Sequence, residues 1–287
     1  MRVTVGGKSL FFDVEGEGHV RTGTALVAKP TLIVLHGAPG SSDLSVYKPY
    51  FSALTDVAQV ITLDLCGSGR SDDSPDGVYS LERWADDLVG FCDVLGIDKP
   101  VVLGNSAGGM VAGVYASRHP NHPAKVILSS TQAKLIPERC IEMFERLGGP
   151  QAAAVARAAL VEVGDLQSFL TYSEVCIPLY NTTPQTRPRA SIFRQQCAEA
   201  FHLLGGVWHT MDFREDLRKI TCPTLVIAGA QDPVTPLQDS LDIVSLMNPS
   251  VVTFEQFDNA GHGVWLDEPD RAFDVLRRFI ARPLPNS

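Results

Sequence analysis

The stretch that most constrains the fold lies at residues 101–109, where a run of valine and leucine ends in Gly-Asn-Ser-Ala-Gly-Gly. The apolar run is typical of a buried strand, and the small residues after it lead into a helical segment. Ser106 stands at the apex of this strand–turn–helix unit. A turn this sharp brings strand and helix so close that the residues two before and two after the apex must be nearly free of side chain. Gly104 and Gly108 meet that requirement.

Short apolar runs of the same kind recur along the chain and alternate with helical segments. Flanked by glycine and proline, such runs indicate strands that are buried on both faces of a parallel sheet. The alternation therefore predicts an α/β fold with a mostly parallel, doubly wound sheet. After an N-terminal hairpin, the predicted strands lie at residues 31–35, 60–65, 101–103, 125–130, 224–229 and 251–254.

Other segments have weaker patterns. Residues 18–29 are polar and contain glycine, which predicts a surface connection, and residues 46–55 are expected to form a helix. Ser80 is a good N-cap for a helix that carries an apolar stripe and stops at Gly96.

The alternation of strands and helices stops near residue 131 and resumes near residue 213. Residues 131–212 contain an alanine-rich helical pattern and several prolines, but no run that resembles a buried strand. We therefore predict an α/β core formed by residues 1–130 and 213–287, with a helical cap (or lid) formed by residues 131–212.

The composition argues against several classes of partner. The 287 residues carry a net charge of −9 and no basic cluster, so we expect no nucleic-acid partner. The N-terminal residues do not resemble a signal peptide and no apolar run reaches the ~18 residues that a bilayer requires, so we expect neither a signal peptide nor a membrane partner. Six scattered cysteines without a C-x-x-C pair are expected to be reduced core thiols of a cytoplasmic protein. We expect no metal and no cofactor, and nothing in the sequence indicates an oligomeric state.

A serine at neutral pH is a poor nucleophile unless a base and an orienting carboxylate assist it. In an α/β sheet, functional side chains gather at the carboxyl ends of the strands. Asp232 follows the predicted strand at 224–229, and His262 lies in a glycine-flanked loop after the next strand. The chain order Ser106, Asp232, His262 therefore predicts a catalytic triad. Asp258 is the alternative carboxylate.

An acyl-transfer site also needs two N–H groups that bind the oxyanion. Ala107, immediately after the serine, is expected to supply one. The loop after the strand at 31–35 is expected to supply the other from Ala38, because Pro39 has no N–H. We expect His36 to hydrogen-bond and hold this loop rather than to act as a base.

Three segments resemble the proline iminopeptidase family of α/β-hydrolases. Residues 36–40 (His-Gly-Ala-Pro-Gly) are similar to its H-G-G-P-G loop, and residues 64–71 (Asp-Leu-Cys-Gly-Ser-Gly-Arg-Ser) to its D-Q-R-G-x-G-x-S segment. Residues 104–109 correspond to its G-x-S-x-G-G elbow. The resemblance implies an inserted helical cap and an aminopeptidase or amidase activity.

The same resemblance implies that glutamates in the cap hold the free amino group of the substrate. Glu199 is the nearest candidate and Glu174 the next, whereas Trp208 and Trp265 are candidates for lining the pocket. Ala107 departs from the aminopeptidases, which usually have an aromatic residue after the serine. The elbow also resembles that of hydrolases that cleave carbon–carbon bonds of dienoic ring-fission products.

Our first hypothesis is a cofactor-free serine hydrolase that cleaves an amide or ester bond of a small molecule or short peptide through an acyl-enzyme. Carboxylesterase, lactonase and carbon–carbon hydrolase activities are alternatives on the same residues, as is acyl transfer. A hypothesis from another class is a non-catalytic α/β-hydrolase-like protein that binds a small molecule.

Overall fold

The computed structural model describes residues 1–184 and 191–284, and these residues form one large sheet and a small hairpin. The large sheet has eight strands in the order β1-β2-β6-β5-β7-β8-β9-β10. The strands are β1 (Arg2–Val5), β2 (Lys8–Glu15), β3 (His19–Thr22), β4 (Ala25–Ala28), β5 (Thr31–Leu35), β6 (Gln59–Leu63), β7 (Val101–Asn105), β8 (Lys125–Ser129), β9 (Thr224–Gly229) and β10 (Val252–Phe257).

The sheet is parallel from β6 to β10, whereas β1 and β2 form an antiparallel edge. Order and direction confirm the predicted α/β fold. The carboxyl ends of β5, β7, β9 and β10 consequently point to the same edge of the sheet, where the candidate site residues follow them.

Helices cover both faces of the sheet and fill the connection between β8 and β9. They are α1 (Lys48–Phe51), α2 (Leu81–Leu95), α3 (Ala107–Arg118), α4 (Pro137–Arg157), α5 (Leu166–Val175), α6 (Gln195–His202), α7 (Val207–Thr210), α8 (Leu237–Leu246), α9 (Val264–Asp267) and α10 (Pro269–Ala281). Among the described residues, no helix combines the length and apolarity that a membrane crossing needs.

The unbroken apolar runs of the central strands have a direct structural reason. In β5, Ile33 and Leu35 belong to an apolar cluster on one face of the sheet, whereas Leu32 and Val34 belong to a separate cluster on the other. Because both faces are covered, all four of these consecutive positions are apolar. The same two-sided burial applies to β7, in which every residue is buried.

Two weaker predictions need correction. Residues 18–29 contain the hairpin β3–β4 rather than a plain connection, and the chain reverses at Gly23, which has a positive φ of 63°. All eight strand residues of this hairpin are exposed, so no apolar alternation marks it. Only Lys48–Phe51 of the helix expected at 46–55 is α-helical, with 3₁₀ turns on both sides. The N-cap prediction is confirmed, since the Ser80 side chain accepts a hydrogen bond from the N–H of Arg83.

Residues 131–212, here called the cap segment, carry α4 to α7. Its two ends come together beside β8 and β9, where Lys134 and Asp212 form an antiparallel bridge and the N–H of Phe213 donates to Ala133 O at 3.1 Å. The cap segment therefore leaves the sheet and returns to it at one place.

Candidate active site

Ser106 occupies a strained backbone conformation between β7 and α3, with φ 56° and ψ −123°. A side chain at either flanking glycine would be impossible. A Cβ on Gly104 would lie 2.0 Å from Gly108 O, and one on Gly108 would lie 2.4 Å from Leu35 O. Hydrogen bonds hold the strained unit, because Ser106 N–H donates to Ser129 O at 2.9 Å and Thr131 Oγ1 donates to Ser106 O at 2.7 Å. Strain of this kind persists only where the surroundings impose it.

The histidine and the aspartate predicted as base and orienting group are in contact. His262 Nδ1 lies 2.8 Å from Asp232 Oδ2, and the Asp232 side chain is completely buried. A carboxylate accepts, so Nδ1 of the imidazole carries the proton and Nε2 is left as the basic nitrogen. The alternative carboxylate, Asp258, is exposed and accepts a hydrogen bond from Gln256.

Thr235 completes the surroundings of the carboxylate, and sequence reasoning missed it. Its hydroxyl donates to Asp232 Oδ2 at 2.7 Å and lies 3.4 Å from His262 Nδ1. The N–H groups of Val234 and Thr235 donate to the other carboxylate oxygen at 2.9 and 3.0 Å. The local signal was a hydroxyl residue three positions after an aspartate. This spacing is typical of a turn in which the aspartate side chain accepts the backbone N–H groups that follow it.

Ser106 and His262 line the same cavity, which has a volume of about 330 Å³. The β5, β7 and β9 ends supply its floor, and α5, α6 and α7 of the cap segment supply its roof. The described lining residues are Gly37, Ala38, Ser41, Ser42, Val46, Tyr47, Ser106, Met110, Phe169, Leu170, Tyr172, Ser173, Ile177, Tyr180, Ser191, Phe193, Phe201, His202, Trp208, Val234, Thr235 and His262. None of these is aspartate, glutamate, lysine or arginine.

The two predicted oxyanion donors flank this cavity. Ala38 has a positive φ of 46° and lines the cavity, and Ala107 is the first residue of α3, where helical N–H groups have no intrahelical acceptor. Within the described part of the chain, neither of these two N–H groups donates to a protein acceptor. Both are therefore available to a ligand oxygen.

Residues 36–42, here called the oxyanion loop, are held by His36 as predicted. His36 Nε2 accepts the N–H of Leu65 at 3.1 Å, so the proton is on Nδ1, which donates to Gly37 O at 2.8 Å. Next to it, the buried Asp64 accepts the N–H groups of Leu44 at 2.7 Å and Arg70 at 2.9 Å. Burial raises the pKa of Asp64, and these two hydrogen bonds oppose the shift.

The cap segment is hydrogen-bonded to the loop that carries the histidine. Residues 180–183, here called the histidine-side tether, contact it along their whole length. Tyr180 O accepts the N–H of His262 at 2.6 Å, and Asn181 Oδ1 accepts that of Gly263 at 2.7 Å. The Thr182 N–H donates to Asp267 Oδ2 at 3.1 Å. The backbone that carries the candidate base is therefore fixed by the cap segment.

A second attachment joins the cap segment to the oxyanion loop. It is formed by residues 191–194, here called the oxyanion-side tether. The Arg194 N–H donates to Gly40 O at 2.7 Å, and the Ile192 N–H donates to Asp43 Oδ2 at 2.8 Å. The Arg194 guanidinium also pairs with Asp73 at 2.5 Å, with both side chains partly exposed.

The other four candidates from the sequence lie in different places. Trp208 lines the cavity, whereas Trp265 packs against Tyr47 and Phe51 in the apolar cluster below it. Glu199 accepts a hydrogen bond from Gln195 on the surface of α6, and Glu174 is exposed on α5. Neither glutamate lines the cavity.

Trp208 is anchored to the core through a buried polar chain. With the Gln132 amide oriented to satisfy its neighbours, Gln132 Oε1 accepts Trp208 Nε1–H at 2.5 Å and Nε2 donates to Asp239 at 2.9 Å. Asp239 also pairs with Arg139 at 2.5 Å. Burial raises the pKa of Asp239 to about 7, although Arg139 acts in the opposite direction.

Comparison with known proteins places this arrangement in a family. A family model described as the alpha/beta hydrolase fold matches residues 30–269. The chain belongs to the α/β-hydrolase family. This α/β-hydrolase is 29% identical to the proline iminopeptidase of Lactobacillus crispatus (strain ST1), and the match covers 88% of the chain and 90% of the relative. It is 28% identical to the 2-hydroxymuconate semialdehyde hydrolase of Pseudomonas putida, with 78% and 77% covered.

Among solved structures, the crystal structure of a proline iminopeptidase from Mycobacterium smegmatis superimposes on this α/β-hydrolase with a TM-score of 0.79. The identity is 23%, and 98% of this chain and 97% of that chain are covered, so this likeness supports the fold alone. Together, the comparisons confirm the resemblance seen in the three loops. The protein is a hydrolase with a proline iminopeptidase-like sequence.

Proposed function

We propose that this α/β-hydrolase is a cofactor-free serine hydrolase in which Ser106, His262 and Asp232 form the catalytic triad. The observation that carries the proposal is the buried contact of 2.8 Å between His262 and Asp232, made beside the cavity that Ser106 also lines. The strained turn at Ser106 adds support, because it holds the hydroxyl at the tip of a rigid elbow.

In the proposed mechanism, Ser106 Oγ attacks the substrate carbonyl while His262 Nε2 takes its proton. Asp232 holds the imidazole in the required tautomer and stabilises the imidazolium. The N–H groups of Ala38 and Ala107 bind the oxyanion, and loss of one such donor typically costs about 3 kcal/mol of transition-state stabilisation. His262 returns the proton to the leaving group, and water then hydrolyses the acyl-enzyme by the reverse sequence.

The cavity favours an uncharged substrate. A buried ammonium group without a carboxylate partner carries a large desolvation cost, and the described lining contains no carboxylate. Residues 185–190 have the sequence Gln-Thr-Arg-Pro-Arg-Ala, which contains none either. We therefore favour an ester, a lactone or an amide without a free amine over the N-terminal residue of a peptide. Within the serine-hydrolase class, this choice departs from the aminopeptidase activity that the resemblance implied.

We also propose that residues 131–212 act as a cap domain on a core formed by residues 1–130 and 213–287. Support comes from the roof that α5, α6 and α7 supply to the cavity. A cytoplasmic location stays part of the proposal. The six cysteines are free and buried, as expected of a protein in a reducing compartment.

The test combines a covalent probe with three substrates. A fluorophosphonate should label the wild-type protein, and Ser106→Ala should take no label and lose hydrolysis by roughly 10⁴-fold or more. A short-chain p-nitrophenyl ester and an N-blocked aminoacyl anilide should be cleaved faster than the same anilide with a free amine.

The outcomes separate the alternatives. Lack of labelling in the wild type would favour a non-catalytic binding protein. Preferential cleavage of the free-amine anilide would restore the aminopeptidase, and turnover of a dienoic ring-fission product in place of the ester would favour the carbon–carbon hydrolase.

A further inference from the structure

One pair of polar side chains on the cavity wall has no part in the proposed reaction. Ser41 lies in the oxyanion loop three residues after Ala38, and His202 is the last residue of α6. Both line the cavity, and Ser41 Oγ lies 3.1 Å from His202 Nε2. The pair therefore joins the oxyanion loop to the cap segment at the surface that a bound substrate would face.

His202 is fixed in place by aromatic rings. Its imidazole stacks on Phe169 with the ring centroids 4.5 Å apart. It also packs edge-to-face with Phe201 and Trp208, at centroid distances of 4.9 and 6.1 Å. Burial, followed by the effect of the nearby His209, lowers the pKa of His202 to about 3. At neutral pH the pair carries no charge, and Ser41 faces a neutral imidazole held in one orientation.

Ser41 Oγ keeps at least one lone pair that can accept a hydrogen bond from a ligand. The Ser41 hydroxyl has one hydrogen and two lone pairs. If it donates to Ala38 O, 3.3 Å away, then His202 Nε2–H donates to Ser41 Oγ and one lone pair is left. If it donates to His202 Nε2 instead, both lone pairs are left. In either tautomer, Ser41 Oγ is an unfilled acceptor on the cavity wall.

The surroundings decide the charge of the group that this acceptor takes. The described cavity lining contains no acidic or basic side chain apart from histidine, and most of the rest is aromatic or aliphatic. An ammonium ion would be desolvated here without a counter-ion, which costs more than one hydrogen bond to a hydroxyl returns. A neutral alcohol O–H or amide N–H has no such cost.

We propose that Ser41 is a specificity-determining residue that accepts a hydrogen bond from a neutral O–H or N–H group of the substrate, and that His202 positions it. The inference rests on the proposed function, since it takes the cavity as the place where the acyl substrate binds. The preferred substrate is then an apolar ester, lactone or amide that also carries a hydroxyl or a secondary amide group.

The experiment uses p-nitrophenyl hexanoates with a hydroxyl, a methoxy group or no substituent at carbon 2, 3 or 6. At one of these positions, we expect the wild type to prefer the hydroxy ester over its methoxy counterpart by roughly ten-fold in kcat/KM, which corresponds to one hydrogen bond. Ser41→Ala should remove this preference. His202→Phe should weaken it, and His202→Gln should retain it, because the glutamine amide nitrogen can replace Nε2.

Ser173→Ala is the matched control, because Ser173 also lines the cavity but its hydroxyl donates to Phe169 O at 2.9 Å. It should leave the hydroxy-to-methoxy ratio unchanged. A wild type without a preference at any position, or a preference that survives in Ser41→Ala, would overturn the subsite. Fluorophosphonate labelling of Ser106, followed in parallel, separates that result from failure of the proposed function, which would appear as an unlabelled wild type.

Discussion

The cap segment is attached beside the candidate site at two places, and the two attachments are built differently. The histidine-side tether, residues 180–183, accepts the backbone N–H groups of His262 and Gly263 and makes further, exposed bonds to Asp267 and Asn259. The oxyanion-side tether, residues 191–194, uses one backbone bond to Gly40, a bond to Asp43 and a partly exposed ion pair. The first holds the backbone of the proposed base, and the second holds the loop that carries Ala38 and Ser41.

This difference has kinetic consequences. A displacement of the base disturbs proton transfer in the transition state and lowers kcat. A displacement of the oxyanion loop would move the Ala38 N–H, which lowers kcat, and Ser41, which raises KM. If both tethers only held the cap segment to the core, substitutions in either would have the same signature.

The largest effect is expected at Asn181. Asn181→Ala removes the acceptor of the Gly263 N–H, and a buried donor left unsatisfied costs about 1–3 kcal/mol. We expect kcat for a p-nitrophenyl ester to fall roughly 10- to 100-fold with little change in KM. Asn248→Ala, the same change in an exposed turn, is the control and should leave both constants as they are. A rise in KM at constant kcat would show that this tether acts on binding instead.

The next effect is a pH dependence of stability that comes from His202. Its pKa is lowered to about 3 in the folded protein, against about 6.5 in the unfolded chain. Above pH 6.5 neither state binds the proton. As the pH falls below 6.5, only the unfolded chain takes it up, so stability is lost, at no more than about 1.4 kcal/mol per pH unit.

His202→Gln removes this titration, so the free energy of unfolding of the variant should depend less on pH. Urea unfolding at pH 7.5, 6.0 and 5.0 measures it: the wild type should lose stability relative to the variant with each step below pH 6.5. A difference that stays constant over this range would mean that His202 takes up its proton in the folded state as readily as in the unfolded one.

The smallest effect is expected at Arg194. Arg194→Gln removes the ion pair with Asp73 but keeps the backbone bond to Gly40. Partly exposed pairs of this kind contribute about 0–1 kcal/mol, so kcat/KM should fall by a few-fold at most. Raising the salt concentration should reduce the difference in kcat/KM between wild type and variant, because salt screens the ion pair. A fall in kcat as large as that of Asn181→Ala would make the two tethers equivalent.

The sheet could be predicted from the sequence because two-sided burial leaves a local mark. Leu32 and Val34 pack on one face and Ile33 and Leu35 on the other, so the strand reads as an unbroken apolar run. The elbow at Ser106 was equally readable, since only glycine fits at 104 and 108. These features depend on residues that are neighbours in sequence.

Features that depend on distant residues left no such mark. Asn181 and Gly263 are 82 positions apart, and no local sequence pattern around either residue predicts their hydrogen bond. Ser41 and His202 are separated by 161 positions. Likewise, Glu199 looks like a pocket carboxylate in the sequence because helix-surface and cavity-facing glutamates have the same local pattern. Only the packing of α6 on the core shows which way it is turned.

The close approach of α6 to Gly40 restricts where a substrate can enter the cavity. A Cβ on Gly40 would lie 2.2 Å from the backbone nitrogen of Ala198, so helix and loop touch with no space between them. A substrate cannot pass there. Leu170 and Phe193, by contrast, line the cavity and are 42% and 47% exposed, so they form an apolar rim where the described part of the cavity meets the solvent. Water that resolves an acyl-enzyme could enter past this rim, so a bulky acyl chain lodged there would slow its own hydrolysis.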